Sequence, residues 1–267
     1  MHEWLATYGW AFATGVFVVW ALLMTVLAGI DPRRLDGEST WAKPFKFAIS
    51  LAIHFATFAV LALYLPPAER HGGALLSALI VALGAGLFAQ GYITVQAMRR
   101  RRSHFNTSTE LEAALLAVTA FCALVVLAPA VVIGLEAAAT SLPGWTAATR
   151  AGVATGLLIG AFMTTVTGFQ MGANGSHFVG RPRGEPQLMK LTGWALDAPD
   201  LRPAHFLANH MMQAVPLASA VFTISMGQLP ALILTVAFCC LWVTLTFAAS
   251  QRAMARRGLP GALKILA

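Results

Sequence analysis

The chain has 267 residues, 58% of them hydrophobic and only 11% charged, with a net charge of +7 and a mean hydropathy of +0.70. An ordinary soluble domain is about 25% charged, so this composition excludes a soluble globular protein. The charge does not point to nucleic acid either, because most of it sorts to one side of a membrane, as shown below.

Uncharged runs of about 18 residues or more mark membrane spans. The first run, Trp4 to Ile30, is too long and too poor in leading basic residues for a cleavable signal peptide. Runs follow at Phe47–Ala68, Gly72–Met98, Ala113–Leu135, Ala151–Gly180 and Pro203–Gln251. The last is long enough for two crossings and is split at Gly227-Gln228-Leu229-Pro230, where proline suits a helix start. Backbone groups in lipid must bond internally, and these runs do not alternate as barrel strands do. The expectation is an all-α polytopic membrane protein, one integral domain over 1–267, with seven helices near 8–29, 45–64, 74–98, 110–134, 149–173, 204–226 and 230–250.

Threading those spans places 16 of the 18 Lys and Arg on one face, leaving only Arg70 and Arg150 on the other. Positive loops stay inside, so the N-terminus is expected outside and the C-terminus in the cytoplasm of a bacterial inner membrane. With acids counted, the faces carry +8 and −1, which sum to the +7 of the chain. Lys43, Lys46 and the run Arg99, Arg100, Arg101, Arg102 then form a basic face suited to anionic lipid headgroups.

Local grammar adds detail. Thr109 followed by Glu112 reads as a capping box at the start of the fourth span. Pro129 and Pro216 should kink the fourth and sixth. Gly152, Gly156, Gly160, Thr164, Gly168 and Gly172 recur every fourth residue, a stripe that lets backbones approach closely. It would serve either another helix of the chain or a homo-oligomer. The loop of about 175–203, with Leu188, Leu191 and Trp194 around Lys190, reads as an interfacial helix or a lid. Cys122, Cys239 and Cys240 lie within spans and carry neither disulfide nor metal-ligand spacing.

Polar side chains inside a bilayer need partners. At 1.5 Å per residue, His54, Gln90, His210, Gln213 and Gln170 fall roughly 5–13 Å from the cytoplasmic end of their spans. Ser50 and His54 share a face of the second span, and His205, Asn209 and Gln213 share one on the sixth, with His210 beside them. His-Phe recurs at His54, His104, His177 and His205. Four readings stay open. His54 and His210 could ligate a haem b. His104, His205 and His210 could hold a divalent metal, with Asn106 or Asn209 behind them. Ser50, Gln90, Asn106, Gln170, Asn209 and Gln213 could line a cofactor-free polar pocket. All could be structural hydrogen bonding. No Lys, Asp or Glu lies deep in a span, so a Schiff base, di-iron chemistry and most ion-coupled carriage lack their residues. Membrane redox chemistry is the leading expectation, with a solute or lipid carrier, or a scaffold, beside it.

Trp41-Ala42-Lys43-Pro44-Phe45-Lys46-Phe47, Arg102-Ser103-His104-Phe105-Asn106, and His205-Phe206 with His210-Met211-Met212-Gln213 resemble the motifs of an uncharacterised family of bacterial seven-helix inner-membrane proteins. The resemblance implies the topology and gives weight to the cytoplasmic motifs; it implies no reaction.

Overall fold

A computed structural model describes residues 2–139, 142–180, 184, 186–189 and 192–256. The expected topogenic or loop residues Arg181, Arg183, Lys190, Leu191, Arg257 and Lys264 lie outside these. Among the described residues nine helices follow one another: α1 His2–Ile30, α2 Ala42–Leu63, α3 Pro67–Arg70, α4 Gly73–Met98, α5 Glu110–Val125, α6 Ala128–Ala139, α7 Ala147–Asn174, α8 Arg202–Ser225 and α9 Gln228–Met254. One small hairpin, β1 Arg34–Leu35 and β2 Glu38–Ser39, links α1 to α2.

Six stretches are long and apolar enough to cross a membrane: α1, α2, α4, α5 with α6 taken together, α7 and α9. The chain is therefore an all-α, multi-pass membrane protein. α8 matches the others in length, and its row of His205, Asn209, His210 and Gln213 is what lowers its hydropathy.

Two compact units divide the chain, Met1–Ile133 and Gly134–Ala267. In the first, α1 buries Ala6, Trp10, Ala13, Phe17, Ala21 and Met24 while exposing Leu22, Leu23, Val26 and Ile30. The buried set steps by three and four residues, one stripe of the helix. Phe17 stacks on Phe55 of α2 with ring centroids 5.4 Å apart, and Trp10 meets Phe58 edge-on at 5.8 Å. Lipid gives helices no hydrophobic reason to associate, so this interlocking of large and small side chains supplies the attraction.

Pro129 does more than kink the fourth span. It has no N–H for the carbonyl of Val125, and the ladder tightens to a three-residue step, Leu127 N–H to Leu124 O at 3.0 Å, so the span is broken into α5 and α6. His54, 4% exposed on α2, places Nε2 3.2 Å from the carbonyl of Val126 at the break. An unpaired carbonyl there would cost about 1–3 kcal/mol. His54→Leu should lose that amount in a thermal unfolding series, and His54→Gln, which keeps a donor, should recover part of it; equal loss in both would disprove the capping role.

In the second unit the glycine stripe of α7 is filled from within the chain. A Cβ on Gly152 would collide with Ser219 of α8, one on Gly156 would come within 2.6 Å of Pro216 Cδ, and one on Gly160 within 2.7 Å of Met212 Cγ. Of the two uses expected for the stripe, another helix of the chain or a homo-oligomer, Gly152, Gly156 and Gly160 serve the first, against α8, and the Pro216 bend rests on Gly156. Trp242 of α9 donates to the carbonyl of Leu207 at 2.7 Å and locks the third helix on.

The connection before α8 is not an interfacial helix among its described residues. It folds through bridges Phe178–Asp200 and Leu188–Ala195. Asp200, its side chain 1% exposed, accepts from Ala195 N–H, Arg202 N–H and the Arg202 guanidinium at 2.7–3.0 Å.

Candidate functional site

The end of α4 sets the geometry in the first unit. Arg100 takes a left-handed conformation, φ 52°, where glycine is usual; its N–H bonds Ala97 O at 2.9 Å and that of Arg101 bonds Gln96 O at 2.8 Å. This double bond pattern closes the helix and reverses the chain. Arg99 and Arg101 then reach one carboxylate, Glu112, at 3.2 and 3.4 Å.

Thr109 is indeed the N-cap of α5, its hydroxyl accepting from Glu112 N–H at 3.2 Å. The carboxylate of Glu112, however, turns away from the cap toward α4. Its Oε1 takes both arginines; its Oε2 accepts from Gln96 Nε2 and from Tyr92 OH, the latter at 3.4 Å. Only 4% of the Glu112 side chain is exposed, whereas Arg99 and Arg101 are 45% and 52% exposed. One shielded anion thus holds two half-open cations.

The hairpin between α1 and α2 completes this face. Asp36 and Gly37, both at positive φ, form its two-residue turn, and Asp36 pairs with Arg102 through two bonds of 2.7 and 2.8 Å. Arg100 Nε donates to Arg34 O at 2.8 Å, and Arg33 donates to Met98 O at 3.0 Å. Lys46 meets Glu38 at 3.0 Å. Arg33 also clasps Asp31 at 2.7 Å and, with the Trp41 indole, holds that carboxyl well below the usual carboxylate range. A depressed pKa stabilises at pH above the ordinary carboxylate value and is lost only as pH falls through the lower folded value.

The basic residues expected to meet an anionic partner are therefore largely engaged by acids or carbonyls of the same chain. They still exceed those acids. Arg33, Arg34, Lys43, Lys46 and Arg99 to Arg102 stand against Asp31, Asp36, Glu38, Glu110 and Glu112, eight against five.

The expected polar layer is spread over both units. Gln90, 0% exposed, donates to Pro44 O at 3.1 Å and to Thr94, which also receives the Trp20 indole at 3.2 Å. Ser50 is half-buried on α2. Asn106 donates to Arg102 O and accepts from Ser108 N–H, both at 3.2 Å, a local turn lock. Gln170 accepts from Ser250 of α9 at 2.9 Å. Gln213 and Asn209 are half-buried on α8.

Each expected imidazole has a local partner in its own unit. His54 Nε2 is engaged with Val126 O, and the ring packs edge-on against Phe58. His210 Nδ1 lies 2.9 Å from Phe206 O while its ring stacks on that phenyl at 3.9 Å. His104 contacts its neighbour Ser103 at 3.1 Å, and His205 contacts Thr167 at 2.9 Å. Among the described residues no three His, Cys, Asp or Glu side chains are grouped to hold a metal ion. The His54/His210 and His104/His205/His210 ligand sets thus gain no support.

Sequence reasoning missed Glu112 as an interior anion, because the capping pattern explains it locally. It also passed over Asp36-Gly37, the dipeptide that marks a tight hairpin. Compared with known proteins, the chain matches no protein-family model, no curated protein and no solved structure.

Proposed function

We propose that the chain is a seven-span inner-membrane protein, N-terminus outside and C-terminus cytoplasmic, that engages phosphate-bearing headgroups of anionic lipids through the face built around Glu112. The observation that carries this reading is the pair of half-exposed guanidiniums sharing one buried carboxylate. Glu112 fixes the arginines without neutralising them, and preorganised donors bind an anion at less entropic cost than free side chains do. α8 supplies the seventh crossing, since 24 residues span about 36 Å as a helix.

Each basic residue near an anionic leaflet contributes about 1 kcal/mol. The full chain in nanodiscs should therefore retain phosphatidylglycerol over phosphatidylcholine, and Arg99→Gln with Arg101→Gln and Glu112→Gln should weaken that preference by about tenfold or more. Removing all three charges together leaves no unpaired buried ion. A preference unchanged in the triple variant, or absent in the parent, refutes the headgroup reading.

A further inference from the structure

The four arginines at the end of α4 divide between two partners. Arg99 and Arg101 reach Glu112 of α5 at 3.2 and 3.4 Å, whereas Arg100 and Arg102 turn to the hairpin between α1 and α2. Arg100 Nε donates to the carbonyl of Arg34. Arg102 meets the carboxylate of Asp36 fork to fork, Nε donating to Oδ2 at 2.8 Å and Nη2 to Oδ1 at 2.7 Å. Asn106 Nδ2, bonded to the Arg102 carbonyl at 3.2 Å, steadies the backbone beneath that side chain.

The two acids differ in how firmly they hold. Glu112 is shielded, with 4% of its side chain exposed, and taking a partner from a buried pair is costly. The side chains of Asp36 and Arg102 are 55% and 64% exposed, and an ion pair so open to water is worth little. The hairpin adds little restraint of its own, because β1 and β2 have two residues each and a lone two-stranded ribbon is marginal. An arriving anion therefore leaves the Glu112 pairs in place and displaces Asp36 at small cost. What arrives must match the fork. A phosphate presents paired oxygens as a carboxylate does, and a guanidinium takes either bidentately.

We propose that Arg102 is a third phosphate-binding arginine of this face and that Asp36 is its resident competitor, displaced when an anionic lipid headgroup engages. The inference rests on the headgroup reading above and adds a residue that sets how strongly the face binds.

The test uses the full chain in nanodiscs. Asparagine suits a left-handed turn residue before glycine as well as aspartate does, so Asp36→Asn keeps the hairpin and removes the competing charge. Retention of phosphatidylglycerol over phosphatidylcholine should rise about fivefold, equivalent to the ~1 kcal/mol of one basic residue at an anionic surface. Asp36→Gly, which also accepts the positive φ, should give the same gain. Loss of a negative charge favours an anionic lipid by itself, and Asp36→Asn combined with Arg102→Lys separates the two causes. That double variant has the net charge of Asp36→Asn but no fork, so most of the gain should vanish. A gain retained in the double variant, or absent from both single variants, overturns this inference and leaves the headgroup reading standing on the parent's preference. A parent without any preference refutes the headgroup reading and this inference with it.

Discussion

Replacing Glu112 with alanine is expected to destabilise the protein by about 3 kcal/mol, the lower end of what removing one partner of a buried ion pair costs. The lower end applies because both arginines keep partial access to water. Two effects add in the same direction. Arg99 and Arg101 are left facing each other with no anion between them, and Gln96 and Tyr92 lose their shared acceptor. Glu112→Gln keeps the shape and an acceptor, so it should cost less than the alanine. The discriminating measurement is a thermal melt of both variants in the backgrounds with and without Arg99→Gln and Arg101→Gln. Removing the arginines should rescue Glu112→Ala in part, because coupled charges are not additive. Equal losses in both backgrounds would show that Glu112 acts through packing alone.

The second large effect is at the glycine stripe, and its order is fixed by what each Cβ would meet. Gly→Ala inside a helix ordinarily gains about 1 kcal/mol. At Gly152 and Gly156 the obstacles are the Ser219 Cβ and the Pro216 ring, neither of which can swing aside. Alanine at either position should cost roughly 1–3 kcal/mol. At Gly160 the obstacles are Met212 Cγ at 2.7 Å, close to the root of a buried side chain, and the Met212 backbone N at 3.2 Å, so the loss should be of the same size. Gly172 has nothing within 4 Å, and alanine there should be neutral or favourable. Melting temperatures of the four single variants test this ranking. Uniform stabilisation would mean that α7 and α8 do not approach as closely as the geometry requires.

The spans were legible because the bilayer imposes a composition that no local detail can hide, and the runs in α1, α2, α4, α7 and α9 show it directly. Thr109 was legible as a cap because the bond is local. What stayed hidden depends on partners far along the chain. Nothing near residue 112 in the sequence says that Arg99 and Arg101 will fold back onto it, since the turn at Arg100 uses a residue with no preference for left-handed backbone. Nor does the pairing of Arg102 with Asp36 appear until the hairpin brings the two together across 66 positions. The small-residue stripe announced a close contact without naming its occupant, and the opposite face of the contact, Ser219, Pro216 and Met212, carries no matching pattern.

The break between α5 and α6 also bears on how the protein is made. A carbonyl released in the middle of a span is exposed to lipid for as long as its donor is missing. Here the donor, His54, is synthesised 72 residues before the acceptor, Val126. Domains emerge from their N-terminal ends first, so α2 can already stand in the bilayer when the broken helix arrives, and the vulnerable backbone group is met on entry. Reversing that order in a circular permutant, with α2 emerging after α6, should lengthen the interval in which the half-helices are prone to misassembly and to capture by quality-control proteases.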